Sequence, residues 1–190
     1  GSTGTISQTR ILRQEIVNQY SRHSSAGTRG YASNVVREVT QREIDWAVHE
    51  GWRLPLSPEK LSGVINSENF GERQISTPTL LKGRLFFTTF QPQSDSCGSI
   101  GRSFLMQLDY RNGGMSSEPV FDLNRDGKFD SIDGVAAGIG LRGGILGEIN
   151  LINSELQLHA LGAGWESGVL DTPIRPFKEL FGRQSWRQLE

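Results

Sequence analysis

Residues 71–92, GERQISTPTLLKGRLFFTTFQP, limit the possible folds more than any other part of the chain. Lys82-Gly83 separates two runs with a tight-turn signal, so the segment reads as a pair of strands. The continuous run LFFTTF, 85–90, predicts a strand covered on both faces. FLMQLDYRNGGM, 104–115, adds a further strand that ends at the turn signal Asn112-Gly113. In WRLPL, Trp52, Leu54 and Leu56 alternate with Arg53 and Pro55, the pattern of a half-buried strand. GILGEINLIN and SELQLHALG predict a hairpin in which Ile149 and Leu151 share a face and Leu156 and Leu158 lie on the partner strand. The 23 glycines, nearly twice the usual share, favour many turns over long helices. About nine strands with short turns make an all-β domain of antiparallel sheets.

The first 45 residues have a different character. TISQTRILRQEIVNQYSR, 5–22, fits either one face of a helix or a long twisted strand, and the β-branched content favours the strand. YASNVVREVTQREIDW repeats that character, with the polar SRHSSAGTRG between the two. The expectation for 1–45 is therefore a protruding β-ribbon with few apolar residues facing a core.

The stretch DLNRDGKFDSID, 122–133, carries the most specific chemistry. Oxygen side chains stand at loop positions 1, 3, 5, 9 and 12, on Asp122, Asn124, Asp126, Asp130 and Asp133, with Gly127 at position 6. That is the pattern of a twelve-residue calcium loop, in which alternate residues of a curled chain turn oxygens toward a hard cation. Gly127 accepts the positive φ of the sharp turn, and Lys128 offers its backbone carbonyl while its ammonium faces solvent. Phe129 is expected to pack the loop onto the body of the protein. Asp in place of Glu at position 12 implies modest affinity, on the order of 10⁻⁴ to 10⁻³ M, which suits calcium-rich surroundings outside cells. The competing reading is a solvated acidic turn, because Asp, Asn and Gly are also turn formers. The loop is not an EF-hand, since Pro119 precedes it and GVAAGIGLRGG follows, and neither flank favours a helix.

Other signals carry less. Twenty basic and twenty-one acidic residues give a net charge of -1, which recommends neither nucleic acid nor an anionic membrane. No apolar run reaches spanning length and no signal peptide is evident. The opening GSTGTIS reads as carrying a cloning remnant, so the chain is expected to be an excised fragment. The lone Cys97 has no neighbour to lower its pKa and is a poor nucleophile. Gly138, Gly140 and Gly143 spell GxGxxG without the strand and helix that a dinucleotide needs, which favours a connector. His23, His49 and His159 lie far apart and read as structural. Trp46, Trp52, Trp165 and Trp186 read as packing residues rather than a sugar platform.

Taken in order, IDWAVHEGWRLPL, FGERQISTPTLLKGRLFFTTFQPQSDSCGSIGRSFLMQLDYRNGG, PVFDLNRDGKFD and GRQSWRQLE closely resemble the C-terminal region of the PilC/PilY family, the type IV pilus tip adhesins. The resemblance covers roughly 44–133 and 182–190. It implies a single C-terminal domain, or a fragment of one, over 1–190, built as blades of a modified β-propeller with a calcium loop on one blade. It also implies a non-enzymatic role in pilus assembly, surface attachment and twitching motility, with calcium occupancy linked to pilus extension or retraction. The partners implied are minor pilins at the pilus tip and a host receptor or surface, reached by export through the periplasm and outer membrane. The implied Ca²⁺ ligands are Asp122, Asn124, Asp126, Lys128 through its carbonyl, Asp130 and Asp133. The strands present are too few to close a propeller, which takes at least four blades of about 40–45 residues. Two alternatives stay open: a quinoprotein-like propeller enzyme, because FLMQLDYRNGG resembles the strand and turn of such blades, and a calcium-dependent carbohydrate-binding module.

Overall fold

The structure, a computed structural model, describes residues 8–22, 34–56, 71–92, 101–124, 126–141, 145–153, 158–164 and 168–176. Its strands are β1 (Ile11–Arg13), β2 (Ile16–Arg22), β3 (Asn34–Val39), β4 (Gly51–Arg53), β5 (Arg73–Gln74), β6 (Thr79–Leu81), β7 (Arg84–Pro92), β8 (Gly101–Asp109), β9 (Gly138–Leu141), β10 (Leu146–Asn153), β11 (Leu158–Gly164) and β12 (Gly168–Ile174). The one helical turn among the described residues is a 3-10 turn at Gln8–Arg10. The described residues are all-β, and Ile11–Arg13 and Ile16–Arg22 are strands, as the β-branched content of this stretch predicts, although Gln14 and Glu15 break them into two.

Seven strands form one antiparallel sheet in the order β2-β3-β9-β8-β7-β5, with β6 also paired to β7. A second antiparallel sheet runs β10-β11-β12, and it contains the hairpin expected from GILGEINLIN and SELQLHALG. β1 and β4 pair in parallel, the one exception to the antiparallel expectation among the described strands. The larger sheet exceeds the four strands of a propeller blade. β5 and β6 occupy the same edge of β7 in succession, and the break between them contains Pro78, which has no N–H to give a ladder.

The large sheet is buried on both sides. On one face Val36, Phe86, Leu105, Ile139 and Leu141 join Val120, Phe121, Leu123, Ile149 and Ile174 in a single cluster, which brings the smaller sheet onto the larger one. On the other face Ile16, Val35, Val39, Phe87, Phe104, Met106 and Leu108 pack together, with Trp52, Leu54 and Leu56 against them. Consecutive Phe86 and Phe87 therefore serve opposite faces, as the LFFTTF run requires.

The N-terminal ribbon differs from its expectation. β2 and β3 do pair, but β3 has β9 on its other side, so the pair is the end of the large sheet and does not protrude. Val35, Val36 and Val39 are all buried, and they supply both faces. The polar residues that suggested solvent are internally paired instead. Arg37 is fully buried and makes a bidentate ion pair with Glu72 at 2.6 and 2.7 Å. Its Nε donates to Gln19 Oε1 at 2.7 Å, and Thr89 Oγ1 donates to Glu72 Oε1 at 2.6 Å. The guanidinium lies 3.3 Å from the centre of the Phe104 ring, a cation–π contact within the same row.

This polar row crosses the sheet from β2 to β7, and on β9, between them, glycines leave room for neighbouring side chains. Gly138 sits opposite both Arg37 and Met106, and a Cβ there would come within 2.3 Å of the Met106 sulfur. At Gly140 a Cβ would meet the Phe104 ring at 3.2 Å. Two letters of the GxGxxG pattern are thus strand positions without space for a side chain. Gly143 lies outside the described residues.

Both predicted turns form. Lys82 and Gly83 have φ of 46° and 81°, the two left-handed residues of a tight hairpin joining β6 to β7. At the end of β8, Gly113 has φ of +70°, its N–H donates to Asp109 O at 2.8 Å, and Asp109 N–H donates to Gly114 O at 2.9 Å. Asp109 also accepts from the Arg111 backbone and guanidinium. Burial pushes this carboxyl upward, but the Arg111 hydrogen bonds outweigh it and hold the group below its ordinary value. Trp52 closes the turn by donating Nε1–H to Tyr110 O at 2.8 Å. A Cβ on Gly113 would lie 2.2 Å from the Trp52 ring. Gly113→Ala is expected to displace Trp52 and cost about 1–3 kcal/mol, with a loss of near-UV tryptophan ellipticity as the readout.

Candidate metal centre

β8 and β9 are neighbours, yet residues 110–137 separate them, and the predicted calcium loop occupies this connection. The chain enters the loop through buried Val120, Phe121 and Leu123 and leaves it through buried Ala136 and Ala137. Phe121 bridges to Ile174 of β12, and Arg175 N–H donates to Val120 O at 2.8 Å. The Arg175 guanidinium adds an ion pair to Glu118 at 3.2 Å. The segment ahead of the loop is therefore tied to the smaller sheet, while the segment after it is tied to the larger one, where Ala137 N–H donates to Arg37 O and Ala137 O accepts from Gln107 N–H.

Within the loop the oxygen side chains hold backbone amides. Asp122 Oδ2 accepts from Gly127 N at 2.9 Å, Asn124 Oδ1 from Asp126 N at 3.0 Å and Asp126 Oδ1 from Lys128 N at 2.8 Å. Asp130 Oδ1 accepts from Ile132 N at 2.8 Å. Asn124 Nδ2 donates to Asp126 Oδ2 at 3.1 Å. Gly127 has the expected positive φ, +78°, and a Cβ there would meet nothing, so backbone conformation rather than space selects glycine.

Asp133 is the anchor, a role its position in the motif does not reveal. It is 0% exposed; Oδ1 accepts from Leu123 N at 2.9 Å and Asn124 N at 3.2 Å, and Oδ2 accepts from Asp130 N at 3.1 Å. One carboxylate thus closes the start of the loop onto its end. Leu123 provides the apolar anchor expected of Phe129, which is half-buried and outside both core clusters.

The donor set fits a hard cation in kind. Five oxygen side chains and a left-handed glycine stand at the required positions, and each carboxylate oxygen has lone pairs to hold an amide and face a cation together. The outer half, Asp126 to Lys128, is exposed, and Asp122, Asn124 and Asp130 are half-buried. Among the described residues no three His, Cys, Asp or Glu groups meet at metal-binding spacing. Convergence on a cation therefore requires the outer side chains to turn inward, while Asp133 already holds the loop ends together.

Comparison with known proteins places this geometry in context. No family model matches the chain. A curated relative, the type IV pilus biogenesis factor PilY1 of Pseudomonas aeruginosa strain UCBPP-PA14, is 26% identical over 204 residues, covering 100% of this chain. A PilY1 homolog of Xylella fastidiosa strain Temecula1 is 38% identical over 79 residues, covering 41% of this chain and 5% of the relative. The crystal structure of the Pseudomonas aeruginosa PilY1 C-terminal domain matches 94% of this chain with a TM-score of 0.67 at 20% identity. The chain is thus similar, in sequence and in fold, to the C-terminal region of PilY1 proteins. It spans 16% of the length of the Pseudomonas relative and 34% of the crystallised chain.

The remaining sequence signals resolve as follows. His49 Nδ1 accepts from Asp45 N–H at 3.0 Å within its own turn, a structural role. Trp52 packs as expected, whereas Trp46 is 65% exposed. His23, Cys97, Trp165 and Trp186 lie outside the described residues, and nothing is described of the His159 side chain. Among the described residues no helix is long and apolar enough to cross a membrane.

Proposed function

We propose that this PilY1-family region is a calcium-binding, non-enzymatic part of a type IV pilus biogenesis factor. It acts at the pilus tip on the bacterial surface, in contact with minor pilins, and supports pilus assembly, attachment and twitching motility. The observation that carries the calcium part is the loop Asp122–Asp133, with its ends closed by buried Asp133 and its leading segment stitched to β12. A cation held by Asp122, Asn124, Asp126, the Lys128 carbonyl, Asp130 and Asp133 would offset the mutual repulsion of four carboxylates and stiffen the joint between two sheets. The names of the relatives support the pilus part. That this chain spans 34% of the crystallised PilY1 domain supports reading the two sheets as one sector of a larger modified propeller.

A ligand that binds the folded state alone adds about 2.7 kcal/mol at a hundredfold excess over Kd. For a domain of this size that corresponds to a rise in Tm of about 5–10 °C. Calcium is expected to raise the melting temperature, a chelator to lower it, and Asp126→Ala to remove the difference while leaving the calcium-free melt nearly unchanged. In a strain lacking the parent protein, restoration with wild type should recover surface pili and twitching, and restoration with Asp126→Ala should not respond to calcium. Normal, calcium-responsive twitching in that variant would remove the regulatory reading.

A further inference from the structure

A cavity of about 370 Å³ lies beside the turn that ends β8, lined from residues 41–43, the β6–β7 hairpin and residues 107–117, and it includes no residue of the calcium loop. Its lining brings together Gln41, Glu43, Gln107, Asn112 and Ser117. Gln41 Nε2 is committed to Met115 O and Ser116 O at 3.1 and 3.0 Å, and Asn112 Oδ1 accepts from Gly114 N at 3.0 Å. Each amide is therefore fixed through one atom, and among the described residues Gln41 Oε1 and Asn112 Nδ2 have no partner. The Glu43 carboxylate and the Ser117 hydroxyl are likewise unengaged among the described residues. Gln107 is 1% exposed, and its Oε1 has no hydrogen-bond partner, an uncommon and costly state for a buried amide.

The chemistry of the lining narrows the ligand. Arg84 and Asp109 contribute one charge of each sign and are already engaged, Arg84 with Arg175 O at 3.1 Å and Asp109 with Arg111 at 2.9 Å. A simple ion of either sign is poorly matched to such a mixture. An apolar ligand is poorly matched too, because Met115 is the one apolar side chain in the lining. The lining instead combines amide donors and acceptors, a hydroxyl and a carboxylate, which suits a ring of hydroxyls that each donate and accept. Tyr110, between the lining residues Asp109 and Asn112 but not itself in the lining, is 49% exposed, and its ring carbons lie 3.5–3.6 Å from where a Cβ on the lining residue Gly83 would stand. A half-exposed aromatic ring at the edge of a cavity lined by amides and a carboxylate supplies the apolar contact and the polar partners that a sugar ring takes.

We propose that this cavity binds a single pyranose unit of a glycan, with Gln41, Glu43, Gln107, Asn112 and Ser117 on its hydroxyls and Tyr110 against its C–H face. This extends the attachment role proposed above, and it shares no residue with the calcium loop, so the two readings fail separately. The test is saturation-transfer NMR on the intact chain with the methyl glycosides of mannose, galactose, glucose and N-acetylglucosamine at millimolar concentration. The expected result is transfer to the ring protons of at least one glycoside, weakened by about tenfold or more in Tyr110→Ala and in Ser117→Ala. Asp126→Ala should leave it unchanged, and melting curves should confirm that the variants are folded. Transfer to none of the four glycosides, or transfer undiminished in both cavity variants, would overturn the proposal.

Discussion

Glu72→Ala is expected to destabilise the protein by about 3–5 kcal/mol, a large share of the roughly 5–15 kcal/mol that holds a typical domain folded. The substitution strips both oxygens from a guanidinium that is completely buried, leaving Arg37 with Gln19 and the Phe104 ring as partners. Thr89 loses its acceptor as well. The attraction within the pair is not the main quantity, because burying two charges is itself costly. What dominates is the penalty of a cation left alone in the core. The double variant Arg37→Leu with Glu72→Leu should therefore recover most of the loss, and urea unfolding of the two single variants and the double separates the cases. A loss below about 1 kcal/mol for Glu72→Ala would mean that the row is wet and exchangeable.

Asp133→Ala should cost about 3 kcal/mol with no calcium present. Three amide donors lose their acceptor: that of Leu123 is buried, whereas those of Asn124 and Asp130 belong to half-buried residues and recover part of the loss from water. Asp133→Asn keeps one acceptor oxygen and should cost roughly half as much. The contrast with Asp126→Ala is diagnostic, since exposed Asp126 bonds within the loop and should matter little until calcium is added. Hydrogen exchange at the Leu123, Asn124 and Asp130 amides gives the local readout. Unchanged protection in Asp133→Ala would contradict the anchoring role.

These two residues also mark where the sequence stopped being legible. Turn chemistry was readable because it is local: Lys82-Gly83 and Asn112-Gly113 need left-handed backbone, and few residues other than glycine and its neighbours supply it. LFFTTF was readable because a strand buried on two faces has to be apolar on both. Arg37 was not readable, since a charged residue in a polar run looks solvent-facing until a partner 35 residues away in sequence is seen to reach it. For the same reason the first 45 residues read as a free ribbon, although β2 and β3 within them form the end of the main sheet. At the loop, spacing gave the oxygens at alternate positions but not the burial of Asp133 or the Leu123, Asn124 and Asp130 amides that it holds. The glycines of β9 misled in the other direction, because a phosphate-cradle spelling and a strand that leaves room for Met106 and Phe104 look alike in one dimension.

Calcium titration of the chelator-treated chain by isothermal calorimetry tests the central claim most directly. One saturable site is predicted, abolished in Asp126→Ala and retained in Tyr110→Ala. Heats indistinguishable from dilution at millimolar calcium in the wild-type chain would contradict it.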